Sequence, residues 1–144
     1  MKYISHSPED TEKIAYNLAT RLSGGEIITL DGDLGAGKTA FVRGLALGLG
    51  ISDIVSSPTF TIVNEYRNGR IPLLHFDVYR IGSSDEMYDI GWEDYISRNA
   101  VVVVEWSVNT PELFDDNCIK IIISKDLSVS EDYREIDIEG VVQE

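Results

Sequence analysis

The chain has 144 residues, 43% of them hydrophobic, and its 25 acidic and 12 basic residues give a formal net charge of -13. This length predicts a single domain over residues 1–144, and the acidity disfavours direct binding to the phosphate backbone of DNA or RNA. No apolar segment suits a signal core or a membrane span, so we expect a cytoplasmic protein, and the lone Cys118 excludes an internal disulfide.

The first predicted element is a helix that starts at Ser7 and ends at Gly24 and Gly25. Ser7 suits the N-cap, Pro8 suits the first helical position, and apolar residues then recur every four positions. An apolar segment at 27–30 predicts a strand. The apolar face within residues 40–50 predicts a second helix.

The rest of the chain predicts a mixed sheet. Strands at 61–63 and 71–76 flank Asn68 and Gly69, a dipeptide typical of tight two-residue hairpin turns. The remaining pattern predicts a short helix with an acidic turn and three strands, at residues 85–95, 101–104, 119–123 and 135–138. The predicted fold class is α/β: a three-layer P-loop NTPase-like domain with a mixed, mostly parallel central sheet and an antiparallel hairpin.

Residues 32–39, between the strand at 27–30 and the second helix, fit the phosphate-binding pattern G-x-x-x-x-G-K-[ST]. In such a loop the backbone amides surround phosphate oxygens and the helix dipole adds positive potential. The residues predicted to bind the nucleotide phosphates are Asp33, Leu34, Gly35, Ala36, Gly37, Lys38 and Thr39. Lys38 would reach the β- and γ-phosphates, and the Thr39 hydroxyl would ligate Mg²⁺. The alternative is a glycine-rich turn without a ligand.

Two predicted strands end in an acid, Asp77 and Glu105. Ligands of open α/β sheets bind at the carboxyl ends of the strands, and Mg²⁺ usually takes only one or two protein ligands besides phosphates and water. Glu105 is therefore predicted to hold Mg²⁺ or to orient the attacking water, unless it is a solvated strand-end acid. Asp77 is a weaker candidate, because an ion pair with Arg80 explains it equally well.

Three neighbouring residues complete the predicted site. Thr59 lies in a loop long enough to reach a γ-phosphate, although Ser57 and Pro58 would equally make a plain turn. Trp106 would stack on the base or cap the site, or else fill the core. His75 is interpreted as a structural residue.

The nucleotide is predicted to be ATP, because the guanine-reading pattern Asn-Lys-x-Asp does not occur. A free-standing small-molecule kinase stays open as an alternative, although the thinly spread arginines do not predict a lid. A second alternative is a binding module in which ATP only sets the conformation. Slow hydrolysis that powers or resets a partner protein fits the short chain best.

Four segments in this order and spacing resemble the bacterial TsaE family, formerly YjeE: residues 32–39, 57–61, 75–80 and 105–106. The resemblance spans residues 7–107 and implies the ATPase component of tRNA threonylcarbamoyladenosine biosynthesis. It implies the cofactors ATP and Mg²⁺ and the partner proteins TsaD and TsaB, with tRNA reached only through that complex. Carbamoyl transfer to the adenosine beside the anticodon would belong to TsaD.

The resemblance also implies roles for particular residues. Thr39 and Glu105 would serve Mg²⁺, Thr59 would lie in a switch-like loop, Asp77 would be an acid needed for activity, and Trp106 would lie near the nucleotide. One departure follows the tryptophan: many relatives have a polar or acidic residue two positions later, where this chain has Val108. A second acid at that point is therefore not expected.

Overall fold

The structure, a computed structural model, describes residues 1–33 and 35–140. Within them, seven strands form one sheet with the order β1-β7-β6-β2-β5-β4-β3. The strands are β1 (Lys2–Ser5), β2 (Ile27–Asp31), β3 (Val63–Tyr66), β4 (Leu73–Asp77), β5 (Val101–Glu105), β6 (Ile119–Lys125) and β7 (Arg134–Glu139). The helices are α1 (Pro8–Ala19), α2 (Lys38–Gly48), α3 (Ser84–Asp89) and α4 (Trp92–Ile96).

The sheet is mixed, as predicted. The central strands β6, β2, β5 and β4 are parallel. At one end of this group β3 pairs antiparallel with β4, and at the other end β7 pairs antiparallel with β6. β1 is antiparallel to β7 and so points the same way as the central strands. In the ladder, Glu105 lies opposite both Leu30 and Asp77, which brings the carboxyl ends of β2, β5 and β4 to one edge.

Helices cover the two faces of the sheet and make the predicted three layers. α1 and α2 bury one apolar cluster, which includes Phe41 and Leu45, and α3 and α4 bury the other around Phe76 and Trp92. The rings of Phe76 and Trp92 meet edge to face at 5.3 Å. β5 is buried along its whole length, as its four valines predicted. No helix of the described residues is long and apolar enough to cross a membrane.

Helices α1 and α2 run parallel and in close contact. A Cβ added to Gly44 would clash with the carbonyl oxygen of Glu12, and one added to Gly48 would lie 2.5 Å from the Cβ of Ala19. Only glycine permits this approach. Because residue numbers increase together along the contact, the N-termini of the two helices lie side by side.

The predicted end of the first helix was wrong. α1 ends at Ala19, and the chain then turns to Leu22, with the amides of Arg21 and Leu22 bonding the carbonyls three residues earlier. The Arg70 guanidinium donates to the carbonyls of Ala19 and Leu22, at 2.6 and 3.1 Å. A side chain from a distant loop therefore satisfies the helix end, and the glycines at 24 and 25 lie beyond it.

The predicted hairpin exists, but its turn and first strand were placed wrongly. β3 begins at Val63, and six residues, 67–72, join it to β4 instead of a two-residue turn. The Arg70 amide donates to the Leu49 carbonyl at 2.8 Å, and Gly69 packs against that same carbonyl. Tertiary packing on the end of α2 thus overrides the local turn preference. The edge strand β1 was not predicted, since four residues carry little pattern.

Candidate functional site

A cavity of about 400 Å³ opens where the carboxyl ends of the parallel strands meet the N-terminus of α2. Such an edge is where open α/β sheets bind ligands. The cavity is lined by Pro8, Gly35, Gly37, Lys38, Thr39, Ala40, Arg43, Ser57, Thr59, Asp77, Glu105, Trp106 and Arg134.

No side chain among residues 1–33 and 35–140 caps the N-terminus of α2. Gly37 occupies the N-cap with φ +102°, a left-handed conformation that glycine adopts freely, and no side chain bonds the first amides. The first turn contains no acidic residue. Backbone donors and the positive end of the helix dipole therefore point towards the cavity, an arrangement that suits an anion.

Lys38 places a cation among acids at this helix end. Its side chain is almost buried, Nζ donates to the Gly32 carbonyl at 2.5 Å, and Nζ lies 4.0 Å from the centre of the Trp106 ring. Burial lowers the lysine pKa from its ordinary 10.5, while Glu105 and Asp77 oppose this change. The ammonium is thus held in place by the backbone and an aromatic face.

Glu105 is oriented by a buried histidine. His75 Nε2 lies 2.5 Å from Glu105 Oε2, and the two side chains are 0% and 5% exposed. His75 Nδ1 is buried without a partner among the described residues. A neutral ring with its proton on Nε2 fits both facts, because it donates to the carboxylate and leaves only an acceptor unpaired.

Two further carboxylates lie at the same edge, and burial raises the pKa of both above 3.8. The Asp77 carboxylate accepts a hydrogen bond from the Tyr79 amide at 2.9 Å. The proposed alternative partner, Arg80, lies over the Phe60 ring instead. Asp31 was not singled out from the sequence.

Asp31 joins the ends of β2 and β5. The backbone amide and the hydroxyl of Ser107 donate to its two oxygens, at 2.8 and 2.5 Å. These bonds and the Lys38 charge oppose the effect of burial on its pKa. Trp106, with φ +62°, makes the bend that brings Ser107 there.

The loop that carries Thr59 packs over the cavity without regular structure. Thr59 Oγ1 and Ser57 Oγ are 2.7 Å apart, and both residues line the cavity. The loop ends at Ile62, whose φ of +69° is unfavourable for a β-branched residue. The Ile62 carbonyl accepts from the Asp77 amide at 2.8 Å, which connects the strained position to the site.

Most of the predicted site residues come together in this cavity. Its lining contains Gly35, Gly37, Lys38, Thr39, Thr59, Asp77, Glu105 and Trp106. Asp33 is exposed and Ala36 is buried, and neither lines it, although the Ala36 amide bonds the Asp33 carbonyl within the loop. Leu34 lies outside the described residues. The roles assigned to these residues stay predictions.

Sequence reasoning assigned no role in the site to several residues that the fold adds to the cavity region, and it interpreted His75 as structural. Asp31 immediately precedes the phosphate-loop pattern, so its position at a strand end was a usable signal. His75 contacts Glu105 only because β4 and β5 are neighbours. Arg43 and Arg134 line the cavity from α2 and β7, and no local pattern marks either of them.

The oxygen donors that line the cavity suit a nucleotide-bound Mg²⁺ ion and not a metal ion held by protein side chains alone. Within residues 1–33 and 35–140, no group of three or more histidine, cysteine or acidic side chains is arranged to hold a metal ion. Mg²⁺ bound to a nucleotide needs only one or two protein ligands besides phosphates and water. A hydroxyl from Thr39 and a carboxylate from Glu105, lining one cavity, fit that requirement.

Comparison with known proteins gives concordant matches. Residues 5–136 match the family model described as threonylcarbamoyl adenosine biosynthesis protein TsaE. The protein named tRNA threonylcarbamoyladenosine biosynthesis protein TsaE of Bacillus subtilis is 43% identical over 98% of this chain and 86% of its own length. The protein of the same name from Aquifex aeolicus is 39% identical over 83% of this chain and 92% of its own.

A solved structure agrees with these matches. The crystal structure of Bacillus subtilis YdiB superimposes with a TM-score of 0.83 and 38% identity, covering 99% of this chain and 86% of that one. The three-layer α/β fold is therefore shared along nearly the whole chain.

Proposed function

The chain belongs to the TsaE family, and we propose that it is a P-loop ATPase that supports threonylcarbamoyladenosine synthesis on tRNA. Its relatives carry that biosynthetic name. One observation carries the ATPase part of the proposal: an uncapped helix N-terminus, a buried lysine and a strand-end glutamate line the same cavity.

The triphosphate would bind across the N-terminus of α2. The open amides and Gly35 and Gly37 would surround phosphate oxygens, and Lys38 would add a charged donor. In the present arrangement Lys38 bonds the Gly32 carbonyl, so nucleotide binding would exchange that contact for a phosphate. Trp106 lies against the same lysine and would close one side of the site.

Thr39 and Glu105 are the residues that would hold Mg²⁺, directly or through water. The ion, when bound, neutralises phosphate charge that would otherwise oppose attack on the γ-phosphoryl group. His75 holds one oxygen of Glu105, and among the described residues the other oxygen has no hydrogen-bond partner. That free oxygen is available to orient a water.

Asp77 and Thr59 would complete the hydrolytic site. Asp77 lies opposite Glu105 in the ladder and lines the cavity. Its carboxylate would help Glu105 to hold a water molecule in position for attack on the γ-phosphoryl group. Thr59 would bring its loop to the γ-phosphate and so make the loop conformation depend on the bound nucleotide.

The energy of hydrolysis would be used in a complex with TsaD and TsaB in the cytoplasm. A net charge of -13 disfavours direct binding of tRNA, so tRNA would be bound by those partners. The chemistry proposed for this chain is ATP hydrolysis, and carbamoyl transfer would be carried out by TsaD.

Calorimetry and single-turnover hydrolysis test the proposal. Wild type should bind Mg-ATP and hydrolyse it slowly, and faster when TsaD and TsaB are added. Glu105→Gln should retain binding and lose hydrolysis by about a hundredfold or more, since its amide is a poor base and metal ligand. Exposed Glu9→Gln is the matched control.

Three results would contradict the proposal. If titration of Mg-ATP into folded protein produces no heat, the result would contradict nucleotide binding. If Glu105→Gln hydrolyses ATP as fast as the wild type, the result would contradict the role of Glu105. If the protein hydrolyses no ATP alone and none when TsaD and TsaB are added, the result would favour the binding module, in which ATP only sets the conformation.

A further inference from the structure

Arg134, at the start of β7, reaches the phosphate loop from the opposite end of the chain. Its Nε donates to the Ala36 carbonyl at 2.9 Å and its Nη2 to the Gly35 carbonyl at 3.1 Å. Its Nη1 donates to the carbonyls of Glu131 and Tyr133, both at 2.8 Å. One guanidinium thus connects the turn before β7 to two consecutive carbonyls of the loop.

These bonds determine how two acceptors of the loop are satisfied. The carbonyls of Gly35 and Ala36 are both paired with the guanidinium, so the positive charge of the guanidinium offsets the repulsion that free carbonyl oxygens would exert on an incoming anion. A planar fork that bonds two adjacent carbonyls fixes both distance and orientation, which an ammonium cannot do. Arg134 also lines the main cavity and a smaller one, of about 50 Å³, beside Gly37.

Among the described residues, the charge of Arg134 lies beside another cation and is paired with no acid. Lys125, on β6, lies directly opposite Arg134 in the ladder, and Lys125 Nζ approaches Gly35. Like charges directly across a strand pair are destabilising. The ion pairs found among residues 1–33 and 35–140 include neither residue, although acids outnumber bases two to one. A bound phosphate group would relieve this repulsion.

We propose that Arg134 is a positioning residue for nucleotide binding, which braces the phosphate loop from β7 and adds, with Lys125, positive potential behind it. The affinity part rests on the proposed function, while the bracing part does not. The C-terminal strand, which contains no recognisable motif, thereby acquires a role in the site.

The test compares Arg134→Gln, Arg134→Lys and Arg43→Gln with the wild type. Arg43 lines the same cavity but pairs with Glu12 on α1, at 3.7 Å, so its variant removes an equal charge without touching the loop. Hydrogen exchange of the Ala36 amide, which donates to the Asp33 carbonyl within the loop, is measured without nucleotide, and the affinity for Mg-ATP is measured by calorimetry.

Arg134→Gln should speed exchange of the Ala36 amide about tenfold while exchange in β5 stays unchanged, and should weaken Mg-ATP binding roughly ten- to hundredfold. Arg134→Lys, which keeps the charge and loses the fork, should show the faster exchange with a smaller loss of affinity. Arg43→Gln should leave loop exchange at the wild-type rate.

Unchanged loop exchange in both Arg134 variants would overturn the brace, even if affinity falls. Faster exchange throughout the sheet would also overturn it, because a general loss of stability would then explain the effect. If the wild type binds no Mg-ATP, the proposed function fails, yet the exchange measurement still decides whether Arg134 holds the loop.

Discussion

The N-termini of α1 and α2 lie side by side, yet within the described part of the chain a side chain caps only that of α1. At α1, the Ser7 hydroxyl accepts from the Asp10 amide at 3.1 Å, and the Asp10 carboxylate accepts from the His6 amide at 3.0 Å. At α2, Gly37 offers no side chain, and a lysine and a threonine begin the helix.

Within one helical layer, the N-terminus of α1 is built to stabilise the fold, whereas the N-terminus of α2 gives up part of that stabilisation. A good N-cap stabilises a helix by about 1 kcal/mol, so a glycine at this position gives up part of that contribution. The acids at α1 also complement the helix dipole, whereas at α2 the dipole is left for an external anion. We therefore interpret the uncapped terminus in the cavity as a binding feature, and the capped terminus beside it as a structural feature.

The largest expected effect is at the open terminus. Lys38→Ala should weaken Mg-ATP binding more than a hundredfold, because it removes a buried charged donor from the phosphate site. Calorimetry measures it, and circular dichroism checks the fold. Lys13→Ala, at an exposed lysine of α1, should bind as the wild type does. Equal affinity in the two variants would contradict the distinction between the termini.

A smaller effect is expected at the next residue of α2. Thr39→Ala should weaken ATP binding about tenfold in the presence of Mg²⁺ and leave binding of metal-free ATP unchanged, since the hydroxyl would act through the ion. Titrations with Mg²⁺ and with a chelator measure the difference. Thr39→Ser, which keeps the hydroxyl, should bind ATP with the same dependence on Mg²⁺ as the wild type. A loss that is equal with and without the ion would exclude this role.

The closed terminus should respond in stability alone. Ser7→Ala should lower the free energy of unfolding by about 1 kcal/mol through loss of the cap, without changing the affinity for Mg-ATP. Denaturant titration measures the first quantity and calorimetry the second. Ser7→Asp retains a capping oxygen and should be close to the wild type. A loss of affinity comparable to that of Thr39→Ala would show that the two ends are not independent.

The smallest effect concerns the acid that faces the open terminus. Burial raises the pKa of Asp77 above its ordinary 3.8, so the folded chain binds this proton more tightly than the unfolded chain. Stability from this group is present at low pH and is lost as pH rises through the raised pKa. Asp77→Asn should therefore melt at a higher temperature than the wild type at pH 7, with the difference shrinking towards pH 3.

Melting curves across pH measure this, with exposed Asp89→Asn as the control. A wild type that is more stable than Asp77→Asn at neutral pH would mean that the hydrogen bond from the Tyr79 amide, together with the attraction of His75 and Lys38, outweighs burial. The variant should also hydrolyse ATP more slowly, which would separate the stability of this edge from its activity.

The sequence pattern was sufficient to predict an element where the contacts that form the element are between residues close in sequence. The start of α1 and the buried valine strand depend on residues within a few positions of each other, and the structure places both as predicted. A helix also follows the phosphate-loop pattern as predicted, although α2 begins at Lys38, two residues before the apolar face that indicated it. The family resemblance, confirmed by the match over residues 5–136, also depends on motifs that are short and ordered along the chain.

Distant contacts decided the rest. The end of α1 depends on Arg70, the hairpin loop is held by Leu49, and Glu105 is oriented by His75 from a neighbouring strand. The brace of Arg134 spans 98 residues of sequence to Ala36. The sequence alone determined which segment offers an open helix end, because capping is local chemistry. The tertiary structure decided which side chains surround it, because only the sheet order makes them neighbours.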